Sequence, residues 1–528
     1  MKRLIYFGIS IPLCLLILAT CGGVVQKDSP FGVCMHLQDG EEHIKIPENI
    51  RLVRDAGIVN IRADFSWGAV ERSQGVWRFD NHDRVVKETE KMGLQLLGLL
   101  LYNVPWANPA YKHLDAWLTY VEKMVTRYKD KVRYWEVWNE PNLYPMFWSQ
   151  YDDPENYALL LKATYQKIKE IDPNIVVVHA GTAGIPLKYI EKSFEAGAHL
   201  AFDKMAVHPY RPLLNSWETT LAYKDDLDGL FALMEKYQIA HKGVWLTEMG
   251  YTSMTAVKTG NKDVFHKIKA ETGKDWKVAV VCDDDYPVDP SFTAKTLRSF
   301  FPSGFRLDTV QIFDMRRIRL HTYDAVFIPP SDNTPLHVSK MLTEYLTNYL
   351  KGGGKVFYYS GNGSMFYYDD AVTKETEQAN FLAQSMWLSL RFGVEKYFWY
   401  ELESPGHNMF DREANFGLTN EHLSPKPAYH AYSTIGRLFP EGSTLDTSIE
   451  WRQKDCCVVS WKQPDGTRLW AVWSPEGPQT VDVKIGKGLR QAFHILGSSL
   501  ADVTESSTTL DVGREIVYLA GPETFEIL

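Results

Sequence analysis

The chain has 528 residues, of which 45% are hydrophobic and 23% are charged, and its formal net charge is −9 with a pI near 6.0. This length and apolar content suffice for more than one folded domain and exclude a mostly disordered chain. The acidic balance argues against a generic nucleic-acid binder, because such proteins present a basic face to the phosphate backbone.

Residues 1–21 are predicted to be a signal peptide. Lys2 and Arg3 precede an apolar run that ends at Ala19 and is short for a membrane span. The ending Leu-Ala-Thr-Cys resembles a bacterial lipobox, which implies that Cys21 carries a lipid and anchors the protein in the cell envelope, periplasmic or at the cell surface. Residues 22–30 would then be a linker. An ordinary cleaved signal is the alternative, because Thr20 is less usual before that cysteine than Gly or Ala.

Short apolar runs alternate with helix-like stretches over residues 31–257. Seven runs lie at 31–36, 58–64, 94–101, 132–138, 174–180, 202–207 and 243–248. Stretches such as LDAWLTYVEKMVTRYKD, with apolar residues three and four apart, lie between them. An eighth run, GVEKYFWYEL, falls in residues 372–440 after another helix-like stretch. Eight buried strands alternating with helices predict a closed parallel (β/α)8 barrel, the TIM barrel.

The interval between the seventh and eighth runs is far longer than the others. Within it, KVAVVCDDDY and YDAVFIPPS are typical of buried strands, and VSKMLTEYLTNYLKGGGKVFYYSG predicts a helix, a glycine-rich stop and a third strand. Residues 258–371 are therefore predicted to form an inserted Rossmann-like α/β module after strand 7 of the barrel.

The pattern changes again after residue 440. Short alternating segments such as TVDVKI and REIVYLAG follow one another, and the turn signal Pro464-Asp465-Gly466 between two of them predicts a hairpin. Residues 441–528 are therefore predicted to be a C-terminal antiparallel β-sandwich.

The remaining cysteines are predicted to be structural. Cys34, Cys282, Cys456 and Cys457 are too few and too irregularly spaced for a disulfide framework, and the adjacent pair would point to opposite faces of a strand. The sequence contains no CxxC pair or HExxH motif, so neither a metal site nor a cofactor is predicted.

Two glutamates follow predicted barrel strands. In RYWEVWNEPNL, Pro141 ends the fourth strand and places Glu140 at its C-terminal end, and VWLTEMGYTS ends the seventh strand with Glu248. Because the C-terminal ends of barrel strands face the catalytic mouth, the two carboxyl groups are expected to approach to about 5 Å. That separation suits a retaining glycosidase, in which one carboxyl protonates the leaving oxygen and the other attacks the anomeric carbon.

The segments that contain these glutamates resemble those of known enzymes. Trp138-Asn139-Glu140-Pro141 with Thr247-Glu248 resembles the retaining glycosidases of clan A, and WEVWNEPNLYPMFW is most similar to glycoside hydrolase family 39. That family includes β-xylosidases, α-L-iduronidases and some endo-acting members. IRADFSWGAVERSQGVWRFD, HPY, FWYEL and NFGLTNEHLSPKPAYHAY extend the resemblance over residues 31–256 and 372–440.

The inserted module departs from the family pattern. It resembles the amidotransferase-like domain that some β-galactosidases of family 42 use for trimer contacts. Amidotransferase activity is not predicted, because Cys282 lacks the glycine-flanked turn that such a nucleophile needs. The module is predicted to wall the substrate cleft or to mediate self-association into a homo-oligomer.

The resemblance implies a role for each residue of the site. Glu140 would be the general acid/base and Glu248 the nucleophile. Asn139 would bind the sugar 2-hydroxyl, with a cap on the strand-four loop as the alternative. Arg62 would lie near the nucleophile and keep its pKa low, although a buried pairing with Asp64 is also open.

Further positions are candidates for contacts to substrate. His208 and Tyr210 would orient Glu248 or touch the sugar, with core packing as the alternative. Trp399 is the candidate floor under the sugar in the −1 subsite, because an aromatic face matches the C–H face of a pyranose. Platforms or core residues are the two interpretations of the remaining candidates, Trp67, Trp106 and Trp148.

The sequence thus predicts a retaining O-glycosidase that acts on a polysaccharide or oligosaccharide. Two alternatives stay open. One is a carbohydrate-binding lipoprotein on a degenerate barrel, as part of a glycan-utilisation system, and the other is an assembly protein that uses the inserted module and the β domain.

Overall fold

The computed structural model describes residues 29–37, 45–255, 257–282, 292–311, 319–330, 340–359, 364–369, 374–406 and 410–528. Cys21, the predicted signal peptide and most of the predicted linker lie outside these residues. A search of the described helices finds none with the length and apolar character needed to cross a membrane.

The first part of the barrel alternates strands with helices. Its strands are β1 (Phe31–Met35), β2 (Asn60–Asp64), β3 (Gln95–Leu100), β4 (Tyr134–Val137), β5 (Val176–Val178), β6 (Thr182–Ala183), β7 (Met205–His208) and β8 (Val244–Met249). Its helices are α1 (Ile46–Asp55), α2 (Trp67–Val70), α3 (Asp80–Lys91), α4 (Leu114–Tyr128), α5 (Pro154–Ile171), α6 (Leu187–Glu195) and α7 (Trp217–Lys236). All residues of β1 and β8 are buried, because helices cover the outer face and side chains fill the interior.

The inserted module follows β8. Its strands are β9 (Lys258–Asn261), β10 (Lys277–Cys282), β11 (Arg306–Gln311), β12 (Ala325–Ile328), β13 (Val356–Tyr359) and β14 (Ser364–Tyr368), and its helices are α8 (Val264–Thr272), α9 (Ala294–Ser299) and α10 (Lys340–Lys351). The sheet order is β11-β10-β12-β13-β14-β9, with β10 to β13 parallel and β14 antiparallel to both neighbours. Apolar clusters cover both faces of this sheet, which confirms the predicted Rossmann-like module.

The chain then returns to the barrel. Helix α11 (Glu375–Arg391) precedes strand β15 (Val394–Trp399), and α12 (Pro427–Leu438) follows it. Strand β15 pairs in parallel with both β1 and β8. Strands β5 and β6 are two pieces of one barrel strand, and a parallel bridge from Val178 to Lys204 joins β5 to the segment before β7. The eight-stranded parallel barrel is therefore closed, as predicted.

The C-terminal domain consists of two antiparallel sheets. Its strands are β16 (Thr444–Leu445), β17 (Arg452–Gln453), β18 (Cys456–Lys462), β19 (Arg468–Trp473), β20 (Gln479–Ile485), β21 (Gln491–His494), β22 (Thr509–Val512), β23 (Val517–Ala520) and β24 (Phe525–Ile527). One sheet has the order β16-β18-β19-β23-β21 with β17 beside β18, and the other has the order β22-β20-β24. An apolar cluster between them completes the predicted sandwich.

Strand β18 has one face in each of two cores. Cys456 packs between the two sheets, whereas Cys457 and Trp461 pack toward the barrel. The Trp461 ring stacks on Trp387 of α11 with centroids 4.2 Å apart, so the sandwich is fixed to the barrel by aromatic packing. The adjacent cysteines therefore lie on opposite faces, as predicted.

The described cysteines fit a structural role. Cys34, Cys456 and Cys457 are buried and free. Burial raises the pKa of the Cys34 thiol well above its ordinary value, so the reactive thiolate form is disfavoured. The side chain of Cys282 lies outside the described part of the structure.

Candidate active site

A cleft of about 550 Å³ opens at the C-terminal ends of the barrel strands. Its charged lining consists of four carboxylates and two guanidinium groups, which are Asp64, Glu140, Glu248, Glu413, Arg62 and Arg412. Because this end of a (β/α)8 barrel is where catalytic groups are found, the cleft is the candidate active site.

Glu140 and Glu248 face each other across the cleft. Their exposed fractions are only 7% and 8%. One oxygen of each glutamate and one ring nitrogen of His208 all lie within 4.8 Å of one another. This spacing is close to the roughly 5–5.5 Å typical of retaining glycosidases and well below the roughly 6.5–9.5 Å of inverting ones.

The backbone directly after β4 adopts an uncommon conformation. Trp138 and Glu140 have φ angles of 76° and 44°, in the left-handed region that non-glycine residues seldom adopt. The Glu140 backbone N–H donates to the Gly181 carbonyl at 3.0 Å, which ties this turn to the neighbouring strand. Such conformations cost free energy and persist only where the surrounding structure fixes them, and they cluster at functional sites.

Arg62 connects the floor of the cleft to its carboxylates. Its Nε donates to Glu136 at 2.6 Å, Nη1 donates to Glu248 at 2.5 Å, and Nη2 donates to the Asn139 Oδ1 at 2.8 Å. The predicted position beside Glu248 is therefore observed, whereas Asp64 bonds to His36 at 2.8 Å and not to Arg62. Because Asn139 accepts through its oxygen, its amide N–H groups are left to donate into the cleft.

The surroundings of Glu248 favour its ionised form. Burial by itself would raise its pKa, but the charges of His208 and Arg62 and the hydrogen bonds from Tyr210 and Arg62 hold that pKa below its ordinary value. The Tyr210 hydroxyl donates to Oε2 at 3.0 Å, while Arg62 donates to Oε1. Both carboxylate oxygens thus have a donor, which stabilises the ionised form of Glu248.

His208 is completely buried between Glu140 and Thr247. Its Nδ1 lies 2.8 Å from Glu140 Oε1, and its Nε2 lies 3.0 Å from the Thr247 hydroxyl. That hydroxyl donates its one proton to the Glu136 carboxylate, so Nε2 must donate to Thr247. Nδ1 and Glu140 therefore share one proton, carried by the carboxylic acid or by the imidazolium.

Glu136 is a site residue that the sequence reasoning missed. It is fully buried in β4 and accepts hydrogen bonds from Arg62, Thr247 and the Gly181 backbone N–H. A charged residue in the middle of the apolar run RYWEVW was the available signal, because an unpaired carboxylate is very costly to bury.

A second group of polar side chains was also missed. His36 Nε2 lies 3.2 Å from the Tyr400 hydroxyl, its Nδ1 lies 2.8 Å from Asp64, and all three side chains line the cleft. Burial would raise the pKa of Asp64, but the charge and hydrogen bond of His36 hold it below the ordinary value. Asp64 was visible in the sequence as the polar end of IRAD, whereas only the fold shows its pairing.

The prediction for Trp399 is wrong. Its side chain is fully buried and its indole N–H donates to the Phe416 carbonyl at 3.2 Å. Trp399 shares its side of β15 with Tyr397, toward the helices, whereas Phe398 and Tyr400 face the barrel interior. Because strand side chains alternate, the cleft receives Tyr400 and the prediction was off by one residue.

The other tryptophan candidates are not part of the described cleft lining either. Trp148 is 2% exposed, and its indole N–H donates to Asp153 at 3.0 Å. Trp106 packs edge-on against Trp67, which is itself fully buried. These three belong to an aromatic core between the barrel and its outer helices, which was the alternative interpretation.

Glu140, His208 and Glu248 are close enough to hold a metal ion between them. Each Glu248 oxygen, however, already accepts a hydrogen bond, and the Arg62 guanidinium supplies the positive charge that a cation would bring. The donor set thus fits an acid/base pair supported by an arginine better than it fits a metal centre.

The inserted module contacts a segment that lines the cleft. Phe410, in the segment after β15, is 4% exposed and packs edge-on against Tyr368 of β14 with ring centroids 4.7 Å apart. Arg412, Glu413 and Phe416 in the same segment line the cleft. Among the described residues, the cleft lining includes none from the module itself, so walling of the cleft and self-association both stay predictions.

Replacing Arg62 with methionine is expected to lower the free energy of unfolding by about 3–5 kcal/mol, because the buried Glu136 carboxylate loses its cation. Urea unfolding followed by tryptophan fluorescence measures the loss. Arg51→Met, at an exposed position on α1, is the matched control. An Arg62→Met midpoint equal to that of the control would contradict the account of Arg62 as the charge partner of Glu136.

Replacing Tyr210 with phenylalanine is expected to move the acidic limb of the kcat/KM profile to higher pH. The hydroxyl helps to hold the pKa of Glu248 down, and the predicted role of Glu248 as nucleophile requires its ionised form. Loss of the hydrogen bond raises that pKa, so activity disappears at a higher pH as the solution is acidified. An unchanged limb, or one moved to lower pH, would show that Tyr210 does not support the Glu248 charge.

Comparisons with known proteins find similarity in sequence over part of the barrel and similarity in fold over most of the chain. The sequence model of glycosyl hydrolase family 10 matches residues 23–146, a part of the barrel that includes Arg62 and Glu140. A family 39 glycoside hydrolase from the gut symbiont Bacteroides cellulosilyticus WH2 is 19% identical with a TM-score of 0.61, over 93% of this chain and 80% of that chain.

Two further solved structures share the fold. A family 39 β-xylosidase from Caulobacter crescentus is 14% identical with a TM-score of 0.51, over 94% of this chain and 96% of that chain. A family 30 subfamily 8 xylanase from Clostridium acetobutylicum is 10% identical with a TM-score of 0.50, over 93% and 96%. At these identities the structural likeness shows the barrel fold alone.

The family match and the fold together support a glycoside hydrolase of clan A. Solved family 39 and family 30 enzymes share its fold, and the family 10 match over residues 23–146 supports the activity class of a glycosidase.

Proposed function

We propose that the protein hydrolyses O-glycosidic bonds of a polysaccharide or oligosaccharide with retention, through a covalent glycosyl-enzyme intermediate. Glu248 is the nucleophile and Glu140 is the general acid/base. The observation that carries the proposal is that one oxygen of each of the two carboxyl groups lies within 4.8 Å of the other, in a cleft at the C-terminal ends of the strands of a closed barrel.

In the first step a Glu248 oxygen attacks the anomeric carbon as the bond to the leaving oxygen breaks. The proton that Glu140 shares with His208 passes to that oxygen, so the aglycone leaves as an alcohol. Arg62 and Tyr210 keep the Glu248 carboxylate ionised and oriented before the attack.

In the second step water replaces the aglycone. Glu140 takes one proton from this water while the water oxygen attacks the anomeric carbon, and the bond between that carbon and Glu248 breaks. The site returns to its starting protonation state, and the sugar leaves with the configuration that it had in the substrate. His208 provides a second place for the proton between the two steps.

Asn139 is proposed to donate its amide N–H to the sugar 2-hydroxyl. Arg62 fixes the orientation of that amide by donating to its oxygen at 2.8 Å. A contact that strengthens as positive charge develops on the sugar ring lowers the barrier as well as aiding binding.

The enzyme is proposed to act at the bacterial cell envelope, anchored through a lipid on Cys21. The support is the charged start, the apolar run and the Leu-Ala-Thr-Cys ending. Metabolic labelling with a fatty acid tests this directly. Incorporation that disappears in Cys21→Ala is the expected result, and incorporation that is absent from the wild type would favour an ordinary cleaved signal.

A hydrolysis panel tests the proposed function. The form that lacks residues 1–21 is incubated with aryl glycosides and with plant and bacterial glycans, and released sugars are separated by chromatography. Turnover with retained configuration, shown by proton NMR of the first product, is expected on at least one member. Binding without turnover would favour the carbohydrate-binding lipoprotein, and the absence of both would favour the assembly protein.

A further inference from the structure

A second cavity of about 470 Å³ adjoins the cleft. The two share Tyr210, Arg412 and Phe416, so these side chains form a common wall. The second cavity lies beside the segment that follows the proposed nucleophile, since Tyr251 and Thr252 line it. A sugar adjacent to the reacting one can therefore reach this space.

The charges in the two cavities differ in sign. The cleft contains four carboxylates, whereas the second cavity is lined by Arg211 and Arg412 and, among the residues that the structure describes, by no carboxylate. Because a carboxylate near other carboxylates is repelled and one near guanidinium groups is attracted, an anionic sugar is favoured in the second cavity over the cleft.

Arg211 is the fixed member of the pair. Its side chain is only 9% exposed, and the guanidinium lies over the Tyr223 ring at 3.9 Å. Nε donates to the Pro209 carbonyl at 3.1 Å and Nη2 donates to Asp226 at 3.2 Å. Asp226 is largely exposed and offsets part of the charge, yet further N–H donors of the fork remain to face the cavity.

Arg412 is the accessible member. Its side chain is 61% exposed and lies over the Phe416 ring at 5.3 Å, and a Glu413 carboxylate oxygen lies 3.9 Å from its Nε. A planar guanidinium donates two parallel hydrogen bonds to a carboxylate or a sulfate ester, which is a geometry that a neutral hydroxyl cannot match.

We propose that this cavity is a subsite for an anionic sugar, one that carries a carboxylate or a sulfate ester, next to the sugar whose bond is cleaved. Arg412 and Arg211 bind the anion, and Tyr210, Tyr251 and Phe416 offer aromatic faces to the ring. The inference rests on the proposed function, because it assigns the substrate of that same site to the class of acidic glycans.

Binding to a non-hydrolysing form tests the proposal. Glu248→Ala is titrated calorimetrically with xylotetraose, with the same oligosaccharide bearing a glucuronic acid branch, with galactotetraose, and with its 6-sulfated form. At least one anionic member is expected to bind at least ten times more tightly than its neutral counterpart. The glucuronate and sulfate arms tell the two anions apart.

Arg412→Gln in the same background is expected to reduce that preference about tenfold, because the accessible guanidinium is lost. Arg412→Lys keeps the charge without the fork and should lie between. Arg51→Gln, exposed on α1 and outside both cavities, is the matched control. Raising the salt concentration to about 0.5 M should weaken the preference in the parent and leave little to weaken in Arg412→Gln.

Two results would overturn the proposal. One is that no anionic oligosaccharide binds better than its neutral counterpart, including the case in which none binds. The other is a preference that survives Arg412→Gln and Arg211→Gln alike. Failure of the proposed function is a separate result, because it would appear as the absence of Glu248-dependent hydrolysis by the wild type on neutral and anionic substrates together.

Discussion

Glu248→Gln is expected to lower turnover of every glycoside that the wild type hydrolyses by about 10⁴-fold or more, because the neutral amide cannot form the covalent bond to the anomeric carbon. The change keeps the size of the side chain, and Arg62 can still donate to the remaining oxygen. The fold should therefore survive. The measurement is kcat/KM on an aryl glycoside, together with a circular dichroism spectrum.

Glu395→Gln is the matched control for this prediction. Glu395 lies on β15, pairs with Lys204 at 2.6 Å, has a side chain that is 43% exposed, and does not line the cleft. Its replacement should leave turnover within about twofold of the wild type, since surface ion pairs contribute little.

A 2-fluoro glycoside should label the wild type at Glu248, as read by peptide mass spectrometry. A label on another residue would overturn the assignment of the nucleophile.

Glu140→Ala is expected to lower kcat/KM by about 10²–10⁴-fold on substrates with a poor leaving group, because the leaving oxygen must depart without a proton. The loss should be much smaller for a dinitrophenyl glycoside, whose leaving group needs no protonation. Azide should restore turnover by entering the space that the carboxyl vacates and attacking the glycosyl-enzyme. The product would then be a glycosyl azide with the configuration of the substrate.

The dependence on the leaving group is the decisive measurement for Glu140. A structural role would reduce hydrolysis of all substrates by the same factor and would leave azide without effect. His208→Gln gives a useful comparison, because it keeps a hydrogen-bonding side chain beside Glu140 but removes the ring that shares its proton. It should lower activity less on the dinitrophenyl glycoside than on a poor leaving group, in the same direction as Glu140→Ala.

The fold was predictable from the sequence because its signals are local. Buried strands in a parallel barrel have near-continuous apolar runs, and the helices between them have apolar residues three and four apart. The inserted module was visible as an interval too long for a barrel crossover. The hairpin at Pro464-Asp465-Gly466 followed from turn chemistry, and the structure pairs β18 with β19 around it.

The residues that stand at the ends of the barrel strands could also be predicted from the sequence. Glu140 and Glu248 each follow a recognisable strand, and the fold of a parallel barrel brings such positions to one face. Arg62, His208 and Tyr210 were predicted with the help of the family resemblance, and the structure places each of them in contact with a glutamate. Their catalytic roles stay predictions until the variants are measured.

The orientation of strand side chains was harder to predict from the sequence. Trp399 and Tyr400 are both aromatic and adjacent, and a shift of one residue exchanges the barrel interior for the outer helix layer. No local signal separates the two alternatives, because both faces of a barrel strand are buried. The predictions of sugar platforms at the other tryptophans failed for a related reason. A tryptophan suits an apolar core as well as it suits a sugar platform, so the residue type does not distinguish the two.

The sequence by itself determined which strands exist, where they end, and which carboxylates stand at those ends, since these depend on neighbours within a few positions. Only the tertiary structure decided that Glu136 is the buried partner of Arg62, that Glu140 shares its proton with His208, and that Phe410 joins the cleft wall to the inserted module. Each of these contacts joins segments far apart in the chain, and packing, not local propensity, selects them.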